Sequence, residues 1–113
     1  RRAVADAAHR LRAAGAQAVV ASLGAEGLLA ATEDGSWQAR PPVTVTGNPT
    51  GAGDAVAAGL AHGLVLGRPW DERLRHAVAL GTATAAAPVA GEFSHDHYAS
   101  ALAAVTVAPE EAR

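Results

Sequence analysis

Gly47-Asn48-Pro49-Thr50-Gly51-Ala52-Gly53-Asp54 is the densest run of turn residues in the chain, and its neighbours restrict what it can be. Before it, Val43-Thr44-Val45-Thr46 alternates as a short strand does; after it, small residues (Ala55, Ala57, Ala58, Gly59, Ala61, Gly63) run at helical density to about Leu66. Strand, glycine-rich turn and helix in that order build an anion site from backbone alone. The first N–H groups of the helix have no intrahelical partner and point beyond its terminus. Glycines at 51 and 53 let the chain take positive φ and let a phosphate approach without meeting a Cβ. The helix dipole adds about 0.3–1 kcal/mol for a surface charge.

Asp54 is the unexpected member. A carboxylate in a first helical turn is ordinarily a cap or a dipole partner. Beside a bound phosphate, however, it adds negative charge where the loop has no lysine to offset it. Phosphate binding alone gives no reason for that choice; phosphate transfer does. An aspartate there can take the proton of an attacking hydroxyl, a general-base contribution of about 10²–10⁴ in rate, while adjacent N–H groups stabilise charge on the transferring oxygens.

Two familiar loops do not fit. The Walker pattern needs Gly-Lys-Ser/Thr, and Asp54-Ala55 follows Gly53 instead. The dinucleotide fingerprint needs a third small residue at position 56, which is Val.

Around the loop the chain alternates helix and strand signals. Val4, Ala7, Ala8, Leu11 and Ala14 fall at helical spacing, and Gly15 stands where a helix C-terminal glycine belongs. Ala18–Leu23 is a continuous apolar run of the sort covered on both sheet faces. A Gly24-Ala25-Glu26-Gly27 turn, a Leu28–Thr32 strand and a Glu33-Asp34-Gly35 hairpin into Ser36–Arg40 follow. Past the loop, Gly67-Arg68-Pro69 ends one helix, Trp70 to about Ala87 forms another, and 88–93 is a loop. Ser94 caps a helix to about Ala104, and Val105-Thr106-Val107 closes the order. The pattern predicts an α/β domain with a mostly parallel sheet flanked by helices on both faces, residues 1–113 forming one unit or part of one.

Composition supports a packed core and narrows the partners. Of 113 residues, 50% are hydrophobic and 18% charged, which argues against disorder. A net charge of −2 offers no basic patch for nucleic acid or anionic membrane. Without cysteine there are no disulfides, thiolate metal sites or thiol nucleophiles, as suits a reducing cytoplasm. No apolar run reaches the roughly 18 residues of a membrane span. The chain starts inside a helical pattern and without Met, so the reading expects a piece of a longer domain.

Asn48-Pro49-Thr50-Gly51-Ala52-Gly53-Asp54 resembles the second signature of the PfkB (ribokinase-like) carbohydrate kinase family, Asp/Asn-Thr-x-Gly-Ala-Gly-Asp. Ser22-Leu23-Gly24-Ala25-Glu26-Gly27 resembles that family's nucleotide turn, and Val78–Ala86 its adenine-pocket helix. The resemblance implies a ribokinase-like fold and transfer of the ATP γ-phosphoryl group to a sugar hydroxyl, with Asp54 as catalytic base and acceptor contact. It implies an anion hole at Gly51, Ala52 and Gly53, and an ATP site that adds Ser22, Leu23, Gly24, Ala25, Glu26 and Gly27. It also implies Mg2+ held by residues upstream of this stretch, a lid upstream through which two copies can pair, and no turnover by this stretch alone. Pro49 departs from the family's Thr and stiffens the loop. Asn48 in place of Asp removes one charge from the monovalent-cation site that some members have.

Asn48 and the Ser22–Gly27 turn further resemble the branch acting on already phosphorylated hexoses, 1-phosphofructokinase and tagatose-6-phosphate kinase. Kinases of an unphosphorylated sugar or nucleoside, or a non-catalytic nucleotide-binding remnant, are the competing readings. His95-Asp96-His97 reads as solvated first-turn residues rather than a metal site, because helix positions two apart do not share a face. Trp37 and Trp70 read as packing residues, Arg68, Arg73 and Arg75 as a solvated edge, and His62 as part of a packed helix face. Thr82 and Thr84 either reach the adenine or bond back within their helix.

Overall fold

The computed structural model describes residues 2–41, 52–87 and 93–109. The strand expected over Val43–Thr46 and the turn residues Gly47 to Gly51 lie outside them, as does most of the 88–93 loop. The elements are α1 (Arg2–Ala13), β1 (Val19–Ser22), a 3-10 turn (Gly24–Glu26), β2 (Leu28–Thr32), β3 (Gly35–Arg40), α2 (Ala52–Val65), α3 (Trp70–Ala86), α4 (His95–Ala104) and β4 (Thr106–Pro109).

The α/β layering is as expected, but the described strands pair antiparallel throughout, in the order β1-β2-β3-β4. For β1–β2 and β2–β3 connection length is the reason. A parallel pair needs a crossover of a dozen or more residues, whereas β1 reaches β2 through one 3-10 turn and β2 reaches β3 through the Glu33-Asp34 turn. Thr32 fastens that hairpin: its hydroxyl donates to the Gly35 carbonyl (2.8 Å) and accepts from the Asp34 amide (3.1 Å).

β1, expected to be covered on both faces, lies at an edge of the described sheet; Val20 packs toward one core cluster and Val19 toward the other, and Val19, Val20 and Ala21 are half-buried. The strand buried along its whole length is β2. Its alternation assigns the two faces. Leu28 and Ala30 pack with Leu74, Ala77 and Val78 of α3 and Ala101 of α4; Leu29 and Ala31 pack with Ala8 of α1. Helices thus cover both faces, and alanines on both partners let them lie close. In α1 only Ala8 is buried, and Leu11 is 55% exposed despite its place in the apolar pattern.

α2 packs chiefly on α3, not on the described sheet. Three glycines make the approach possible. A Cβ on Gly59 would stand 2.9 Å from the Ala77 Cα, on Gly63 2.6 Å from the Arg73 Cγ, and on Gly81 2.6 Å from the Val56 Cγ2. Gly59 and Gly63 are one helical turn apart and share a face. Gly81 answers them from α3 at the opposite end of the seam, so the N-terminus of α2 lies against the C-terminal half of α3.

Two of the three arginines expected on a solvated edge, Arg73 and Arg75, are tied into the structure. Arg73 lies 4.3 Å over the Trp70 ring and donates to the Arg68 carbonyl, while Arg75 donates to the Val105 carbonyl at the α4–β4 junction. Trp37 and Trp70 pack against the larger core cluster, as read from the sequence. Ser94 caps α4 through the His97 amide, also as read. His62, by contrast, is exposed.

Candidate active site

The residues picked from the sequence form two groups. In the first, Ser22 ends β1, exposed, and Leu23 to Gly27 form a closed turn. The Leu23 amide donates to the Gly27 carbonyl (2.8 Å), the Glu26 amide to the Leu23 carbonyl (3.2 Å) and the Gly27 amide to the Gly24 carbonyl (3.1 Å). Gly24 and Gly27 have φ of 62° and 95°. The backbone of Ala25 lies within the 3-10 turn, and Glu26 is exposed at its end. Gly27 is also confined by its neighbour, since an added Cβ would stand 1.9 Å from the Ala39 carbonyl oxygen.

In the second group, Ala52, Gly53 and Asp54 form the first turn of α2. Gly53 and Asp54 are exposed, and among the described residues Asp54 has no ion-pair partner. Gly53 takes no positive φ, and nothing lies within 4 Å of the place a Cβ would occupy. Gly51, the remaining anion-hole candidate, lies outside the described residues. An exposed carboxylate, a glycine that no described atom crowds and helix N–H groups without intrahelical partners can hold an anion and accept a proton beside it.

The two groups are linked through the core, α2 on α3 and α3 on β3 and β4. Thr84 is 2% exposed and packed within the chain, which leaves it no open face for an adenine; Thr82 is half-buried. Gly81, unremarked in the sequence, is what brings α3 against the Asp54 turn. Its only advance signal is a glycine interrupting a helix otherwise rich in alanine.

Two cavities lie elsewhere among the described residues. A groove of about 730 Å³ runs between β1, the Glu33-Asp34 turn and the C-terminal half of α2. A second, of about 320 Å³, lies between α2, α3 and α4 and is edged by His62, His76, His95 and Tyr98. None of the predicted site residues lines either. In the second, burial pushes the His76 imidazole below its ordinary range, with Arg68 adding to the effect and Glu72 opposing it. Burial pushes the Tyr98 phenol up. Among the described residues no group of three or more His, Cys, Asp or Glu could hold a metal, and no helix is long and apolar enough to cross a membrane. A lone Asp54 carboxylate does not make a magnesium site.

The chain is similar to known proteins in sequence and in fold. The model of the pfkB family carbohydrate kinases matches residues 1–96. A 1-phosphofructokinase of Escherichia coli (strain K12) is 36% identical over 106 residues, covering 94% of this chain and 34% of the relative. A structure assigned as a phosphofructokinase of Staphylococcus aureus superposes with a TM-score of 0.86 at 29% identity, over 97% of this chain and 35% of that one. Phosphofructokinase-2 of Escherichia coli in complex with potassium gives 0.82 at 30% identity, over 88% of this chain and 33% of that one. The chain therefore spans about a third of the length of the proteins it matches, and its α/β architecture is that of ribokinase-like sugar kinases. The chain belongs to the pfkB family of carbohydrate kinases.

Proposed function

We propose that the protein transfers the γ-phosphoryl group of ATP to a hydroxyl of a sugar phosphate, with Asp54 as general base. The observation that carries the reading is the first turn of α2, where an exposed carboxylate, without an ion-pair partner among the described residues, follows a glycine that no described atom crowds. Among the described residues a structural reason for Gly53 is lacking: it relieves no clash and supports no positive φ, and glycine in a helix costs about 0.5–1 kcal/mol relative to alanine. Close approach of a phosphate supplies the missing reason.

In this reading the Asp54 carboxylate takes the proton of the acceptor hydroxyl. The freed oxygen bonds to the γ-phosphorus as the bond to the bridging oxygen breaks, and ADP leaves. Backbone N–H groups of Gly51, Ala52 and Gly53 hold the charge on the transferring oxygens, and the Ser22–Gly27 turn borders the nucleotide. Magnesium, which shields phosphate charge in such reactions, falls to residues outside this stretch.

The relatives named 1-phosphofructokinase favour a phosphorylated ketohexose as acceptor, in line with Asn48 and the Ser22–Gly27 turn. An assay of the intact kinase with Mg-ATP against fructose 1-phosphate, tagatose 6-phosphate, fructose and ribose tests this. ADP release is expected with a sugar phosphate, fructose 1-phosphate foremost. Turnover of ribose alone would overturn the acceptor class, and nucleotide binding without turnover of any alcohol would favour the non-catalytic remnant.

A further inference from the structure

Asp54 has no described partner to hold it in place, so its position depends on how the first turn of α2 is seated. That seat is Gly81. An added Cβ on Gly81 would stand 2.6 Å from the Val56 Cγ2 and 3.6 Å from the Ala52 carbonyl oxygen. Ala52 and Val56 stand two residues before and two after Asp54, so α3 touches the catalytic turn on both sides of the proposed base at one point. We infer that Gly81 is a positioning residue: it sets the height and tilt of the first turn of α2 and, through it, the reach of Asp54 toward the acceptor hydroxyl. The inference rests on the general-base reading of Asp54.

Three observations separate this from ordinary close packing. Gly81 is buried in mid-helix, where alanine is the better helix former, so its lack of a side chain answers to the contact. The atom it faces belongs to a valine, and valine in a helix keeps essentially one χ1 rotamer, so Val56 cannot swing aside cheaply. A methyl at 81 is then absorbed by moving the first turn. At the other end of the seam, Gly63 faces the stem of Arg73, whose head lies over Trp70 and donates to the Arg68 carbonyl, so a methyl there presses on a contact remote from Asp54. Gly63 also stands about 13 Å beyond Asp54 along the helix axis, at about 1.5 Å per residue. The same substitution at the two ends therefore presses on different things.

The test compares Gly81→Ala, Gly63→Ala, Val56→Ala and the double variant Gly81→Ala/Val56→Ala in the intact kinase, reading kcat, KM and equilibrium nucleotide affinity. Misplacing a catalytic group by about 1 Å costs up to about 100-fold. For Gly81→Ala a kcat loss of about tenfold or more is expected, with nucleotide affinity changed less than about threefold. Gly63→Ala should keep kcat near wild type, and adding Val56→Ala to Gly81→Ala should restore most of the loss. Should Gly81→Ala fail to fold, Val56→Ile presses the same contact from α2 and should lower kcat in smaller measure. Unchanged kcat in a folded Gly81→Ala or Val56→Ile protein, an equal loss in Gly63→Ala, or no rescue by Val56→Ala each overturns the inference. Asp54→Asn separates the two ideas: if it keeps full turnover, the base assignment is what fails, whereas dead Asp54→Asn beside a fully active Gly81→Ala removes only the positioning role.

Discussion

Gly27 and Gly53 occupy the two turns that the sequence assigns to the nucleotide and the phosphate, and the structure treats them oppositely. Gly27 is required by the fold: its φ is 95°, and a side chain would collide with the Ala39 carbonyl across the β2–β3 ladder. Gly53 is required by nothing within the described chain; its backbone is helical and the space beside it is open. One glycine lets two strands meet, and the other keeps clear a place that the protein does not fill. A glycine motif alone cannot distinguish these cases, because both read as turn glycines until the neighbouring backbone is known.

The largest effect that would sharpen this contrast is at Gly27. Gly27→Ala combines left-handed strain of about 1–2 kcal/mol with overpacking of about 1–3 kcal/mol. A loss of about 2–5 kcal/mol is expected in denaturant unfolding, with inactivity following from unfolding. If Gly27→Ala is as stable as wild type but has lost nucleotide affinity, the turn serves the ligand and not the fold. Gly53→Ala should do the reverse. The helix gains about 0.5–1 kcal/mol, while kcat falls about tenfold or more as a methyl enters the phosphate's approach, given that loss of one oxyanion donor costs about 10²–10³. A Gly53→Ala enzyme with full kcat would remove the anion cradle.

The smallest effect is expected away from both turns, at the contact of the His76 Nδ1 with the Tyr98 hydroxyl. Tyr98→Phe should cost about 0.5–1.5 kcal/mol of stability and leave kcat alone. The pH dependence there has a definite sign. Folding lowers the proton affinity of His76 below its ordinary value of 6.5, so the unfolded chain takes up that proton first as pH falls. The associated stability is complete above that value and is lost below it. Between pH 7.5 and 5.5 the melting temperature should therefore fall more steeply in wild type than in His76→Gln; equal slopes would rule out this source. Arg68, Arg75 and His62 reinforce the shift and Glu72 opposes it.

Much of this was legible in the sequence. Helix and hairpin boundaries followed from periodicity and punctuation, because the Thr32–Gly35 turn and the Ser94 cap are local interactions. Burial was less legible, because it depends on partners distant in sequence. β1 and β2 both read as continuous apolar runs, yet of the two, among the described residues, β2 is the one flanked by a strand on each side and buried along its whole length. Leu11 matched the apolar stripe of α1 and still lies exposed, since Ala8 and Ala5 are what pack on the sheet. The Glu33-Asp34-Gly35 turn makes β2 and β3 antiparallel from the sequence alone; the antiparallel pairing of β1 and β4 among the described strands is not legible from periodicity. In the candidate site, Asp54 and its glycines were visible from residue type and spacing. Gly81 was not, because its reason is the Val56 side chain on another helix.

Asp54→Asn in the intact kinase tests the central claim most directly. The change preserves shape at an exposed position and removes only the ability to take a proton. A fall in kcat of about 10²–10⁴ is expected, with nucleotide affinity within about threefold of wild type and an unchanged melting temperature. Asp54→Asn turning over at the wild-type rate would contradict the assignment of this carboxylate as the base.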